Sequence, residues 1–232
     1  MKRGEVVLNG SEHHHLSRVA RLRVGEEIHL FDEKGVKYFA RIDEISAEAT
    51  RLVILGAEER AAPSVRIILG QAVLKAKAMD FLIQKTTELG IFAIAPVVAS
   101  RSVVRVEDGD KKKTERWANI ALAASKQSKS GWVPTIWPAQ DLPRFVAAQT
   151  SPVKIVLSEH EGRPLRERVL ESMALRPGEV VLLVGPEGGW TPDEERMIRA
   201  HGFEAVSLGR TILRAETASL CAAAILTHFW DG

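Results

Sequence analysis

Two short stretches of the chain carry the residues best suited to chemistry. In the first, the apolar run Leu182–Val184 ends in Gly185-Pro186-Glu187-Gly188-Gly189, followed by Trp190-Thr191-Pro192-Asp193-Glu194-Glu195. Glycines at a strand end allow close approach of backbone groups to a ligand, and a helix start behind them is the usual setting of a phosphate site. The spacing here matches neither GxGxxG nor the P-loop, and Asp193, Glu194 and Glu195 load the helix start with negative charge that would repel another anion. The loop suits a ligand without phosphates that is held by backbone groups, a description met by adenosine attached to a cationic sulfonium. Taken alone, the same glycines also fit a tight turn that serves backbone geometry only.

The second stretch follows Phe203–Gly209 and reads Arg210-Thr211-Ile212-Leu213-Arg214-Ala215-Glu216-Thr217-Ala218, ahead of the small-residue run SLCAAAILTHFW. Arg214 and Glu216 stand just before that run, where side chains can enter a cleft at the carboxyl ends of strands. A surface ion pair capping the helix is the plainer reading of the same two residues. The small residues allow close packing against another helix or another subunit.

The elements that must position these loops are readable from pattern. Residues 1 to about 68 are β-rich, with short runs at Val6–Leu8, Glu27–Phe31, Tyr38–Ile45 and Arg51–Leu55, punctuated at Gly25, 32–35 and 46–49. A short helix fits Glu12–Arg21, with Leu16, Val19 and Ala20 on one face, and residues 56–64 read as a linker. From Val65 onward strand-like runs alternate with helical ones, predicting an α/β domain with a mainly parallel sheet. Thr191 as N-cap, Pro192 at the first helical position and Glu194 three residues after the cap predict a capping box, with Gly202 as the stop. The organisation expected is therefore residues 1–68 as one domain and 69–232 as another.

Together the two loops carry a resemblance. GPEGG after a strand, followed by LG-x-x-ILR-x-ET-A, resembles the 16S rRNA (uracil-N3)-methyltransferase family, the ribosomal small-subunit methyltransferase E type of the SPOUT superfamily. Gln71, Lys75, MDFLIQKTTELG (79–90), Pro96, Arg101-Ser102-Val103 and HHHLSRVARLRVG (13–25) are similar to further family segments. The stretch Lys126–Trp132 and the pair Lys77-Ala78 depart from the family pattern.

The resemblance implies a C-terminal SPOUT-type α/β domain tied in a trefoil knot and a small β-rich PUA-like N-terminal domain that helps bind RNA. It implies S-adenosyl-L-methionine as cofactor, held by Leu157, Ser158, Gly185, Pro186, Glu187, Gly188, Gly189, Leu208, Gly209, Ile212 and Leu213. It further implies a homodimer acting on 16S rRNA or the small ribosomal subunit. Methyl transfer to uracil N3 leaves negative charge over N3 and its flanking carbonyls, which a fixed guanidinium would stabilise. Arg214 is the candidate for that role, and Glu216 could orient it or accept a proton. No residue is an obvious general base. Trp190 could stack on an extruded uracil or pack against the loop or a dimer partner.

Net charge is +2, so distribution matters more than the total. Between positions 101 and 132 eight basic residues, Arg101, Arg105, Lys111, Lys112, Lys113, Arg116, Lys126 and Lys129, face four acidic ones, Glu107, Asp108, Asp110 and Glu115. Such a cluster suits phosphate contact, or is simply a solvated helix face. Arg101, Lys75 and Lys111–Lys113 are read as RNA contacts, with Arg18, Arg21 and Arg23 as a second group in the small domain. Adjacent His13, His14 and His15 do not share a helix face, and no ligand spacing completes a site, so no metal is expected. The lone Cys221 reads as a buried core residue. With no signal-peptide pattern and no apolar run long enough to span a bilayer, the expectation is a cytoplasmic protein without membrane contact. Another SPOUT methyltransferase, a non-enzymatic RNA-binding relative and a phosphate-ligand α/β enzyme are the competing readings.

Overall fold

The structure is a computed structural model that describes residues 4–32, 36–59, 63–102, 110–128, 130, 132–159, 162–173 and 177–231. The chain divides into two compact units, Met1–Ala61 and Ala62–Gly232. The division falls seven residues ahead of the boundary read at 68, which lies inside a strand of the larger unit.

In the first unit β1 (Glu5–Asn9), β2 (Glu27–Phe31), β3 (Val36–Ile45) and β4 (Ala49–Glu59) form an antiparallel sheet in the order β1-β4-β3-β2. Ala40, Ile42 and Leu52 are its buried centre. The expected linker at 56–64 is corrected here, because Gly56 to Glu59 continue β4 and pair with Phe39 to Val36. The expected helix over 12–21 is also different. A helix α1 (Gly10–His14) passes into a π-helical turn, His15–Val19, with Ala20 N–H donating to His15 O at 2.8 Å. The wider turn rotates the following residues, so Val19 and Ala20 stay exposed. His13 is the buried residue instead, sharing hydrogen bonds with Thr50 Oγ1 at 2.9 Å and Ala47 O at 3.3 Å.

The second unit is built on parallel pairs. Its strands are β5 (Arg66–Ala72), β6 (Ala93–Val98), β7 (Thr135–Ile136), β8 (Gln140–Asp141), β9 (Val153–Leu157), β10 (Arg163–Pro164), β11 (Glu179–Val184) and β12 (Glu204–Ser207). They lie in the order β10-β12-β9-β11-β5-β6-β7, with β8 also on β6. Between them run α2 (Ala76–Glu88), α3 (Lys111–Ser128), α4 (Leu142–Ala147), α5 (Leu165–Met173), α6 (Pro192–Ala200) and α7 (Ala215–Asp231). Ile67, Leu69, Ile155, Leu182 and Val206 face α2, α3, α5 and α7, while Ile68, Val156, Val181 and Leu183 face α4 and α6. Side chains on both faces explain why these strands read as continuous apolar runs.

The order matters more than the count. β9 leaves a place beside β5, and β11 is later inserted into it. The registers Val184↔Gln71, Leu183↔Val156 and Val206↔Leu157 bring β11, β9 and β12 to an end at nearly the same level. Their following loops therefore leave one edge side by side. On α7, Ser219, Ala222, Ala223 and Leu226 are buried, and the Ser219 hydroxyl donates to the buried Gln71 Oε1. Cys221 lies on the outward side of this helix and is exposed, which corrects its reading as a core residue.

Gly70 in the central strand β5 shows how tightly α4 is seated. A Cβ there would lie 2.4 Å from Phe145 Cζ and 3.2 Å from Leu183 Cδ1. Gly70→Ala is expected to destabilise by about 1–3 kcal/mol through overpacking. Adding Phe145→Leu should recover part of that loss, read as the shift in denaturant midpoint at constant slope.

Candidate functional site

At the shared edge the loops enclose a cavity of about 380 Å³. Leu157 and Ser158 enter from the end of β9; Gly185, Pro186, Glu187, Gly188 and Gly189 from the end of β11; and Leu208, Gly209, Ile212 and Leu213 from the end of β12. Every residue assigned to the cofactor from the sequence thus lines one space. Glu195, Ile198 and Arg199 of α6, Ala215 and Ala218 of α7, and Arg101 also line it.

The glycine loop has a definite shape. Gly189 N–H donates to Pro186 O at 2.9 Å, closing a turn with Gly189 at φ +68°, where a side chain would be strained. A Cβ on Gly185 would sit 3.1 Å from the Trp190 indole nitrogen. Trp190 is only 8% exposed and packs in the core between the sheet and α4 and α6, so it is a wall of the cavity and not a free stacking surface. Its indole N–H is buried without a hydrogen-bond partner among the described residues. Opposite, Gly209 takes φ +135° where β12 turns into its loop, and Ile212 lines the cavity while 66% exposed.

The start of α6 forms as its sequence predicts. Thr191 Oγ1 accepts from Glu194 N–H, and Glu194 Oε2 accepts from Thr191 N–H at 2.8 Å. The second carboxylate oxygen does something the capping pattern does not announce. Glu194 Oε1 accepts from the Ser100 backbone N–H at 2.8 Å, tying the turn after β6 to the start of α6. Burial would raise the pKa of this carboxyl, but the hydrogen bonds from Ser100 and Thr191 outweigh it and hold the group below the ordinary carboxylate range.

Arg101 is the residue whose place the sequence did not reveal. Its place in a basic run suggests a phosphate contact, yet its Nη1 donates to Gly188 O at 2.9 Å and to Trp190 O at 3.2 Å. Its partners are 87 and 89 positions away, so no local pattern could mark them. Glu195 and Arg199, four apart on α6, could have been found as one helix face.

Arg214 and Glu216 do not line the cavity. Arg214 is exposed and Glu216 half-buried at the start of α7, each directly after a lining residue, Leu213 and Ala215. Among the described residues no ion pair joins Arg214 to Glu216, so the capping-pair reading is not realised. Lys75, Lys111 and Lys112 are exposed and Lys113 half-buried beside Asp110. Arg18, Arg21 and Arg23 are exposed in the small unit. Val103, Arg105, Glu107, Asp108, Lys129 and Gly131 lie outside the described residues. Trp132, in the stretch that departs from the family pattern, stacks on Phe92 at 5.0 Å. Among the described residues no group of His, Cys, Asp and Glu could hold a metal ion, and no helix is long and apolar enough to cross a membrane.

An open parallel sheet with a glycine-lined cavity at a strand-order switch defines a small-ligand-binding α/β protein. Its sequence matches an RNA methyltransferase domain over residues 61–227 and an RNA methyltransferase PUA domain over residues 8–55. The ribosomal RNA small subunit methyltransferase E of Synechocystis is 31% identical over 221 residues, spanning 94% of this chain and 71% of that protein. That of Mycobacterium tuberculosis is 32% identical over 237 residues, spanning 97% and 88%. The crystal structure of the same enzyme from Neisseria gonorrhoeae, bound to S-adenosyl methionine, superposes with TM-score 0.86 at 34% identity, covering 98% of this chain and 93% of that one. The chain belongs to the ribosomal RNA small subunit methyltransferase E family, and it is a methyltransferase.

The Glu194 bridge gives a sign that can be tested. A carboxyl with a lowered folded pKa stabilises the fold above its unfolded value, about 4.3, and that contribution is lost as pH falls through the folded value. Glu194→Gln should cost about 1–2 kcal/mol at pH 7. The difference from the parent protein should shrink below about pH 4, followed by thermal melts across pH.

Proposed function

We propose that this chain is an S-adenosyl-L-methionine-dependent methyltransferase that modifies N3 of one uridine in 16S ribosomal RNA, as a homodimer in the cytoplasm. The observation that carries this reading is the convergence of the loops after β9, β11 and β12 on one cavity. The relatives' names and the ligand of the Neisseria gonorrhoeae enzyme support it. The knotted path of such domains is part of the proposal, and the late insertion of β11 beside β9 agrees with it.

The residues fit the cofactor. Backbone groups at 185–189 and 208–213 are available to an adenosine, and glycines at 185 and 189 keep the loop surface free of side chains. The buried indole N–H of Trp190 is left without a partner among the described residues at the same wall. Arg101, Arg199 and Arg210 and Glu159, Glu187 and Glu195 give the lining both signs of charge, which suits a ligand bearing both cationic and anionic groups. When bound, the cofactor supplies an electrophilic methyl group on its sulfonium.

The protein must then present the uracil in line and favour the loss of its N3 proton. Positioning of this kind accounts for much of the acceleration in transfer reactions. Arg214, beside the cavity just ahead of α7, is the guanidinium proposed to stabilise charge on N3 and the flanking carbonyls, with Glu216 two residues on to orient it or take a proton. Lys75, Lys111, Lys112 and Lys113, with Arg18, Arg21 and Arg23, are proposed to hold RNA phosphates. The unit up to Ala61 and the unit from Ala62 are proposed as the RNA-binding and catalytic regions.

Comparing modified nucleosides in 16S rRNA from cells with and without this protein should show loss of 3-methyluridine at a single site. An unchanged nucleoside profile would refute the activity. In the purified protein, Arg214→Ala should lower turnover roughly a hundredfold while leaving cofactor affinity nearly unchanged. Replacing Lys111–Lys113 by Ala should weaken RNA binding and reduce the slope of log affinity against log salt by about 2–3. A constant slope would mark the cluster as solvated surface.

A further inference from the structure

The turn Ala99–Ser102 follows β6, yet it touches the loop of β11, although β5 lies between those strands. The register explains the reach. Val184, Gln71 and Pro96 are level across β11, β5 and β6, and β6 continues to Val98. Those extra residues lift the turn by about 6–7 Å beyond the edge where β11 ends. The turn is stiffened from within, since Ser102 N–H donates to Ala99 O at 3.0 Å and Ser102 Oγ accepts from Ala99 N–H at 3.2 Å.

From this turn one attachment reaches the start of α6 and another the glycine loop. Glu194 Oε1 accepts the Ser100 N–H, and Arg101 Nη1 donates to Gly188 O and Trp190 O. A guanidinium terminal nitrogen carries two N–H groups, so both donors of Nη1 are committed to the loop. The Arg101 stem also lies along Gly188, where an added Cβ would meet Arg101 Cβ at 3.3 Å and Cδ at 3.5 Å. A basic residue that reads as a phosphate contact therefore has two of its five N–H donors on loop carbonyls and its stem along Gly188, within the lining of the cavity.

We infer that Arg101 is a positioning residue that fixes the glycine loop of the methyl-donor cavity from outside its own strand, and is not an RNA phosphate contact. Its role as a donor-site residue rests on the cofactor reading of the cavity; its hold on the loop does not. Fixing the Gly188 and Trp190 carbonyls sets the peptide planes between them, so the loop is preformed before the ligand arrives. Without Arg101 those planes must be ordered by the ligand itself, and affinity falls by that ordering cost.

The test uses the full-length Arg101→Met and Arg101→Lys variants, which keep most of the aliphatic stem. Calorimetry with S-adenosylmethionine should show Kd raised about tenfold in Arg101→Met and less in Arg101→Lys, which retains a cation able to donate to a carbonyl. RNA affinity of the cofactor-free protein and its salt slope should stay at the parent values. Amide hydrogen exchange of the free protein should accelerate at 186–190 in Arg101→Met, with protection within α6 retained, and this readout needs neither cofactor nor activity. An unchanged cofactor Kd with weaker, less salt-dependent RNA binding would overturn the inference in favour of a phosphate contact. Unchanged exchange at 186–190 would overturn it as well. If the parent protein fails to bind S-adenosylmethionine at all, the cofactor reading fails, and the exchange comparison still decides whether Arg101 holds the loop.

Discussion

Parallel pairing of β12, β9 and β11 is the constraint on which the site depends. Strands that run the same way and end at one level must release their next residues on one edge. No long-range search is then needed to bring Leu157, Gly185 and Leu208 together, because the hydrogen-bond ladder already does so. Inserting β11 between β9 and β5 places its glycine loop in the middle of the group, against α6 on one side of the sheet. The apolar side chains on both sheet faces hold the ladder in register, since a slip by one residue would exchange the two buried faces.

A loop rich in glycine gains close approach at the cost of conformational freedom. Much of the surrounding detail limits that freedom without adding side chains to the cavity. Trp190 folds back under Gly185, Glu194 joins the start of α6 to the Ser100 amide, and Arg101 takes up two loop carbonyls. The charge on Glu194 has two consequences. It stabilises the turn that carries Arg101, and together with Asp193 and Glu195 it leaves the helix start hostile to phosphate. A cavity built this way favours a ligand recognised by backbone groups.

Local features were the most legible in the sequence. The capping box at Thr191–Glu194, the strand at Glu27–Phe31 and the glycine stop at 202 depend on a few adjacent residues, and they form as read. The eleven lining residues taken from motif resemblance also fall in one place. What escaped depends on distant partners. Gly56–Glu59 look like linker, but pairing with β3 across a register shift makes them strand. The π-helical turn at His15–Val19 removes a face that regular helical spacing would have buried. Arg101 carries no mark of its two carbonyl acceptors in its neighbours. Charge at Arg214 and Glu216 was visible, but its direction was not, and both sit beside the cavity instead of in its lining.

Hydrogen exchange of the whole protein with and without S-adenosylmethionine would weigh the central claim most directly. Added protection at 157–159, 185–191 and 208–214, three segments far apart in sequence and adjacent only through the sheet, is the expected result. Protection of just one of them, or of a region away from that edge, would contradict a single methyl-donor site shared by neighbouring strands.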